Sequence, residues 1–474
     1  MKIRKFIYLK ITLLLGLIFT LTVSCERDLS DEVEFATFPK TAEVFMDGFS
    51  GGLEYLPFGG SKLNAFSVDE ETKYYGTAAM RFDVPNFGDP EGAYAGAIFP
   101  DYNGRNLSDF DALTFWAKAS KAATINEIGF GGDFIENKYL VTKQNLRIST
   151  AWTKYIIPIP DPSKLTLEKG MFWYASGPEN GDGYSFWIDE LQFEKLGTVA
   201  QPKPAILNGE DVIQKSFIGS SIDLSTGLSQ TFNLASGINQ TVMAAPSYFT
   251  FSSTDVDVAR VSELGIVSIV GNGTAQITAI LDGVKAKGSL TVDVLGQFNP
   301  APIPTLDPSL VISIFSDAYT NVPVDFYNGY YAPFQTTTSN DFEVNGDNIL
   351  NYENYNFVGI EFNQNVPTIN ATDMTTMHLD IFIPDSFDPA STIRINLVDF
   401  GADKAFGGGD DSSISKLLSA TSTPSLVSGE WISVEFDISG LTNRNNLGQI
   451  VFDAEGDTTP RPSGFYVDNI YFHK

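Results

Sequence analysis

The chain repeats itself once, and no fold is acceptable that does not accommodate the repeat. Residues Phe186 to Lys195 read FWIDELQFEK and the last ten residues read FYVDNIYFHK, with Phe, Asp, Phe and Lys coincident at a shift of 279. Ile188 and Leu191 meet the near-isosteric Val467 and Ile470, and Trp152 in WTKYIIPIP meets Trp431 in WISVEFDIS. Upstream, YAGAIF from Tyr94 meets FVGIEF from Phe357, LTFWAKAS from Leu113 meets MHLDIFIP from Met377, and Asp47 in FMDGF meets Asp317 in FSDAY. The order is kept while the shift drifts only from 263 to 279, so segments 43–197 and 310–474 read as two copies of one domain.

Each copy consists of short alternating apolar and polar stretches between clusters of Gly, Pro, Asn and Asp, with no sustained 3.6-residue period. That pattern predicts an all-β chain in which each copy is a two-sheet jelly-roll β-sandwich. Pro-marked segments at Gln201-Pro202-Lys203-Pro204 and from Asn299 to Pro304 read as semi-rigid linkers that hold the domains apart. Between them, residues 205–296 have strand alternation at Val256, Val258 and Val261 and turns at Gly265 and Gly271-Asn272-Gly273. The succession Val258-Ala259-Val261, Gly265, Val267, Gly273 and Ile277-Thr278-Ala279 resembles the bacterial immunoglobulin-like group 2 module, which implies an Ig-like β-sandwich spacer.

A length of 474 residues suits this many domains, each with its own core. With 30 basic and 58 acidic residues the net charge is −28, which excludes nucleic acid and anionic membrane surfaces as direct partners. One Cys excludes a disulfide framework, and two His leave little imidazole chemistry. Lys2, Arg4 and Lys5 precede an apolar run from Ile11 to Val23 that is too short to span a bilayer. Residues 1–25 end in Leu21-Thr22-Val23-Ser24-Cys25 and resemble a lipoprotein signal, which implies lipidation of Cys25. The acidic, aperiodic residues 26–42 then read as a flexible tether.

No Gly-x-Ser-x-Gly elbow, phosphate loop, His-Glu-x-x-His or Glu-x-Asp-x-x-Glu strand signature is present, so the chain reads as non-catalytic. Aromatic residues make up 13% of it and suit sugar recognition, because a pyranose face stacks on a ring while its hydroxyls find polar neighbours. Trp152 and Trp431 align between the copies and are assigned to the core. Trp116 shares the polar face of its strand with Thr114 and Lys118 and is a candidate platform, unless a loop covers it. Of Trp173 and Tyr174, one should face outwards. Tyr327, Tyr330 and Tyr331 surround a turn in the second copy, as ligand contacts or as packing of the loop on its own sheet. Asp47 with Asp189, and Asp317 with Asp468, recur at the two ends of the copies inside apolar stretches, where a carboxylate needs hydrogen bonds or a cation. Asp399, Asp403, Asp410 and Asp411 in LVDFGADKAFGGGDDS read as a solvated acidic turn.

Through YLPFGGSK, YYGTAAMRFDVPN and GYSFWIDELQFEKLG, the first copy is similar to carbohydrate-binding-module-like domains of Bacteroidetes surface glycan-binding lipoproteins. The second, through FSDAYTN, LVDFGADKAFGGGDDS and YVDNIYFHK, is similar to domains appended to laminarinases of marine members. The resemblance implies a lipid-anchored outer-membrane protein of a polysaccharide utilisation locus, exposed at the cell surface. It would capture polysaccharide, β-1,3-glucan (laminarin) above all, for an outer-membrane importer complex, with a structural Ca²⁺ held by the four Asp residues. A surface glycoside hydrolase and an adhesin for protein partners are the alternatives.

Overall fold

A computed structural model describes residues 38–339, 342–456 and 458–474, so the signal, Cys25 and most of the tether lie outside the described residues. The described chain is all β: its only helical pieces are four short 3₁₀ turns, and no described helix is long and apolar enough to cross a membrane.

In the amino-terminal module one sheet runs Phe66–Asp69, Ala79–Val84, Tyr184–Glu194, Ala112–Ala119, Thr153–Pro158, with Glu43–Phe45 also on Tyr184–Glu194. The facing sheet runs Val141–Ile148, Ala123–Phe130, Glu168–Ser176, Ala95–Arg105, Leu56–Pro57. The carboxy-terminal module has the same order. Thr338–Ser339, Asp347–Glu353, Phe465–His473, Thr376–Phe382 and Trp431–Asp437 form one sheet, joined by Val311–Phe315; Ser412–Leu418, Ile393–Asp399, Leu447–Asp453 and Val358–Glu361 form the other. The sequence matches of the repeat fall on or beside corresponding strands, with Asp47 and Asp317 in the loops that follow Glu43–Phe45 and Val311–Phe315. Trp116 faces Asp189 in one copy where Asp380 faces Asp468 in the other.

Strand alternation builds the cores. In Tyr184–Glu194, Phe186 and Ile188 turn inwards and join Phe82, Phe99, Phe172 and Tyr174, with Phe82 stacked on Phe186 at 4.7 Å. Leu350, Ile381, Phe452, Phe465 and Val467 fill the second sandwich. A smaller sandwich lies between them, with Val258, Val267, Ile277 and Val292 at its centre.

The structure corrects the reading of both Pro-rich segments as spacers. Pro202 and Pro204 sit in a strand, Ala200–Ala205, which pairs with Ser229–Asn233. The hairpin of Ser229–Asn233 and Asn239–Ala244 then pairs with Val141–Ile148 through Met243↔Thr142 and Ala244↔Val141, making one eight-stranded sheet across two modules. Prolines are admitted because Ala200–Ala205 is the edge, where a missing N–H breaks no ladder. The second segment is docked too: the Asn299 carbonyl accepts from Trp431 Nε1 at 2.7 Å and the Pro302 carbonyl from Asn469 Nδ2 at 3.2 Å. Phe217 and Phe298 pack with Val344, Ile349 and Tyr466, and Lys215 pairs with Asp385. Trp431 is therefore an outward residue bound to the linker, not a core residue as its alignment suggested.

Candidate functional site

The outer face of the amino-terminal module's second sheet carries an open groove. Because Phe172 and Tyr174 point into the core, Trp173 and Ala175 point out. Pairing sets Ala175 between Gly96 and Glu127, and Glu127 beside Gln144, in one cross-strand row. The next row is Ile98, Trp173, Gly129 and Thr142. The Trp173 indole lies across Gly129 and Gly132 and donates to the Val141 carbonyl at 3.1 Å. A bulky row beside one floored by Gly96 and Ala175 leaves a trough of about 370 Å³, lined by Tyr94, Asn126, Glu127, Gln144, Asn145, Ala175, Ser176 and Gly177.

Its walls are chemically distinct. Tyr94 and Phe58 roof Gly96, where an added Cβ would lie 2.8 Å from the tyrosine ring and 2.9 Å from the phenylalanine. Tyr94 is fixed by donating its hydroxyl to the Gly59 carbonyl at 3.0 Å. Asn126 accepts the Gly177 N–H at 2.8 Å through Oδ1, which turns its NH₂ to the groove. Asn145 is presented from a left-handed position, φ 52°, in its strand. One ring, one carboxylate and three amides, with strands about 4.8 Å apart, match a ligand rich in hydroxyls and poor in charge.

The residues singled out from sequence are placed as follows. Tyr174 is fully buried and is a core residue, not a ligand contact, because it occupies the inward register next to Trp173. Trp173 faces outwards but is 7% exposed under Phe58, so it shapes the groove from beneath. Trp116 does lie on the outer face of the opposite sheet, but Tyr74 stacks on it at 3.9 Å and 11°, and Trp152 adjoins Tyr74 at 5.9 Å, outside the core. In the second copy Tyr327 packs against the core, donating to the Ile314 carbonyl at 2.9 Å, so it is structural. Tyr331 lies over Gly359, the counterpart of Gly96, with its hydroxyl bonded to Glu361 and Gln449, while Tyr330 is 57% exposed and bonded to Ser339 Oγ. Sequence reading missed Tyr94, Asn126, Glu127, Gln144 and Asn145.

The four Asp residues behave differently in the two copies. Asp189 accepts the N–H groups of Tyr74 (2.8 Å), Tyr75 (3.1 Å) and Glu190 (2.8 Å), and Asp47 accepts those of Thr77 and Ala78. Main-chain hydrogen bonds hold the Asp47 carboxyl below its usual range. Both carboxylates pin the 74–78 loop that carries Tyr74 onto Trp116, and both Asp47 bonds fall on Oδ1. Asp317 pins Asn348 in the same manner, at 2.7 and 2.8 Å. Asp468 is different: burial, with Asp347, Asp380 and Asp317 nearby, pushes its carboxyl up to about 7, and a buried oxygen of Asp347 has no hydrogen-bond partner. Among the described residues no group of three or more His, Cys, Asp or Glu is gathered to hold a metal ion. A cation there would rest on Asp468 and Asp347 with main-chain carbonyls. The acidic turn is solvated only in part, because Asp399 is fully buried at a strand end, accepting from Gly401 and Asn446 N–H, while Asp410 accepts from Ala402 and a buried oxygen of Asp411 has no hydrogen-bond partner.

No family model matches the chain, and no curated protein matches it. Among solved structures it is similar to the family 30 carbohydrate-binding module of a cellulosomal cellulase of Clostridium thermocellum, at 14% identity and TM-score 0.26, over 35% of this chain and 98% of that one. The tandem CBM22 domain from Paenibacillus barcinonensis aligns at 12% identity and TM-score 0.20, over 93% of this chain and all (100%) of that one. A β-1,2-glucanase from Parabacteroides distasonis aligns at 10% identity and TM-score 0.24, over 56% of this chain and 40% of that one.

Proposed function

We propose that this is a non-catalytic polysaccharide-binding protein whose amino-terminal module holds a neutral glycan chain along the groove of Tyr94, Glu127 and Gln144. The observation that carries the reading is that lining: a fixed ring and amide donors around a single carboxylate. Glycoside hydrolysis ordinarily needs two carboxyl groups flanking the bond, and the groove offers only Glu127. The likeness of the second copy to domains appended to laminarinases supports β-1,3-glucan as ligand, the signal ending at Cys25 supports that residue as the lipidated anchor in the outer membrane, and the first copy's likeness to surface glycan-binding lipoproteins supports delivery to an importer. Glu127→Ala and Gln144→Ala, at open strand positions, should each weaken laminarin binding about tenfold or more in calorimetry while leaving the melting temperature unchanged. Full affinity in both folded variants would move the site elsewhere, and release of reducing sugar by the wild-type protein would favour the hydrolase. Cys25→Ala should shift the protein from membrane to soluble fraction, because acyl chains at about 0.8 kcal/mol per buried CH₂ hold it there; unchanged retention would remove the anchor from this reading.

The proposed calcium, expected at Asp47 with Asp189 and at Asp317 with Asp468, has its more buried pocket in the second copy, where Asp347 adjoins Asp468. A chelator should lower the melting temperature of that module, since a ligand at about 100 times its Kd contributes roughly 2.7 kcal/mol to the folded state. Melting curves that overlay with and without chelator would leave Asp468 a structural carboxyl.

A further inference from the structure

A second recess lies where the amino-terminal and middle modules meet, away from the groove. Two adjoining hollows of about 320 and 210 Å³ share Lys138, Tyr139 and Lys164 and form one trench across the junction. One wall comes from the amino-terminal module's 133–139 and 164–169 segments, the other from residues 247–251 and 261–263 of the middle module. The contact is fixed: the Tyr248 hydroxyl donates to the Tyr139 carbonyl at 3.1 Å, the two rings lie 5.3 Å apart, and Ala245 N–H donates to the Leu140 carbonyl.

Three lysines, Lys138, Lys164 and Lys169, line this trench, in a chain whose acidic residues outnumber its basic ones 58 to 30. Among the described residues none of the three forms an ion pair. Four carboxylates, those of Asp133, Glu136, Glu168 and Glu263, line it as well, and two of them are tied to the main chain. Asp133 Oδ1 accepts the N–H groups of Ile135, Glu136 and Asn137 at 2.9 to 3.1 Å, and Glu168 Oε1 accepts those of Lys169 and Gly170 at 2.9 and 2.7 Å. Glu136 and Glu263 are exposed and free to turn to solvent. What the trench offers a ligand is therefore three ammonium groups outside any ion pair, Lys138 Nζ lying 5.6 Å from the centre of the half-buried Tyr139 ring, alongside four carboxylates that a bound anion would have to avoid.

We propose that the trench binds an anionic saccharide, one whose sugar ring bears a carboxylate or a sulfate ester, with the charge among Lys138, Lys164 and Lys169 and the ring against Tyr139. Its combined size holds about two sugar residues. This site is independent of the neutral-glycan groove, and the test keeps the two apart. Calorimetry on the intact protein would use a galacturonate oligosaccharide, a sulfated galactan oligosaccharide and a laminarin oligosaccharide of matched length. The expected result is binding of one or both acidic probes, weakened by salt, and a loss of about tenfold or more in Lys138→Gln/Lys164→Gln with laminarin affinity unchanged. Gln144→Ala should do the reverse. If the double variant melts lower than wild type, the single Lys169→Gln variant repeats the measurement. Absence of binding by both acidic probes, or acidic binding retained in a folded lysine variant, overturns the proposal without touching the groove.

Discussion

Arg105→Met should destabilise the amino-terminal module by about 3–5 kcal/mol, the scale for leaving a buried carboxylate without its cation. Arg105 is 1% exposed and Asp101 3%. The guanidinium donates to Asp101 Oδ2 at 2.8 Å, to the Glu43 carbonyl at 2.7 Å and to Ser50 Oγ at 2.8 Å, so one side chain ties the first strand to the longest strand of the facing sheet. Urea unfolding measures the loss. Adding Asp101→Asn should restore part of it, because the orphaned charge is then gone. A loss below about 1 kcal/mol would mean that water reaches the pair and screens it.

Glu168→Gln should act in the opposite direction, with an effect that grows as pH rises above about 4.5 and is complete above neutral pH. Burial pushes the Glu168 carboxyl from 4.5 up to about 7, with nearby Asp133 adding to the shift. Between those two values the folded chain keeps a proton that the unfolded chain has released, so stability falls as pH rises through that window and the penalty is complete above it. A shift of that size corresponds to about 3 kcal/mol. Gln keeps an oxygen for the Lys169 and Gly170 N–H groups but cannot ionise. Urea midpoints should therefore agree between wild type and variant near pH 4 and diverge by pH 8, with the variant the more stable. Parallel pH profiles would show that the carboxyl already ionises near its ordinary value when folded.

The repeat made two copies of one β-sandwich legible before any coordinates, and strand alternation placed Phe186, Ile188 and their counterparts Phe465 and Val467 on one face, while the order of strands in each sheet came only from the structure. Parity along a strand also separated Trp173 from Tyr174, though it could not say which way the pair turned. The groove was not legible, because its floor is a coincidence of small residues, Gly96 and Ala175, on strands 79 positions apart in the chain, and only the register brings them together. Trp116 lies on the outer face its parity indicated, but the ring that stacks on it, Tyr74, was not legible because it belongs to a loop placed by the distant Asp189. Of the carboxylates read as metal ligands, Asp189 and Asp468 are buried while Asp47 and Asp317 are exposed, and main-chain N–H groups donate to both members of the first copy's pair. Pro-x-Pro spacing is ambiguous in the same way: an edge strand tolerates what a linker prefers.

The hairpin Ser229–Asn233 and Asn239–Ala244 bears on how such a chain can be recombined. Modular proteins diversify by shuffling cassettes, and a cassette can be exchanged when its borders fall between hydrogen-bonded units. Here the strand that closes the edge of Val141–Ile148 is encoded about a hundred residues downstream, within the middle module. A cut at the Pro-rich segment after residue 197 would leave the amino-terminal sheet with an open edge at Val141 and Thr142, and the middle module with a hairpin that has lost its neighbour. The heritable unit in the first half of this protein is thus the pair of modules together, and a graft that respects it must carry residues 43–296 as a single piece.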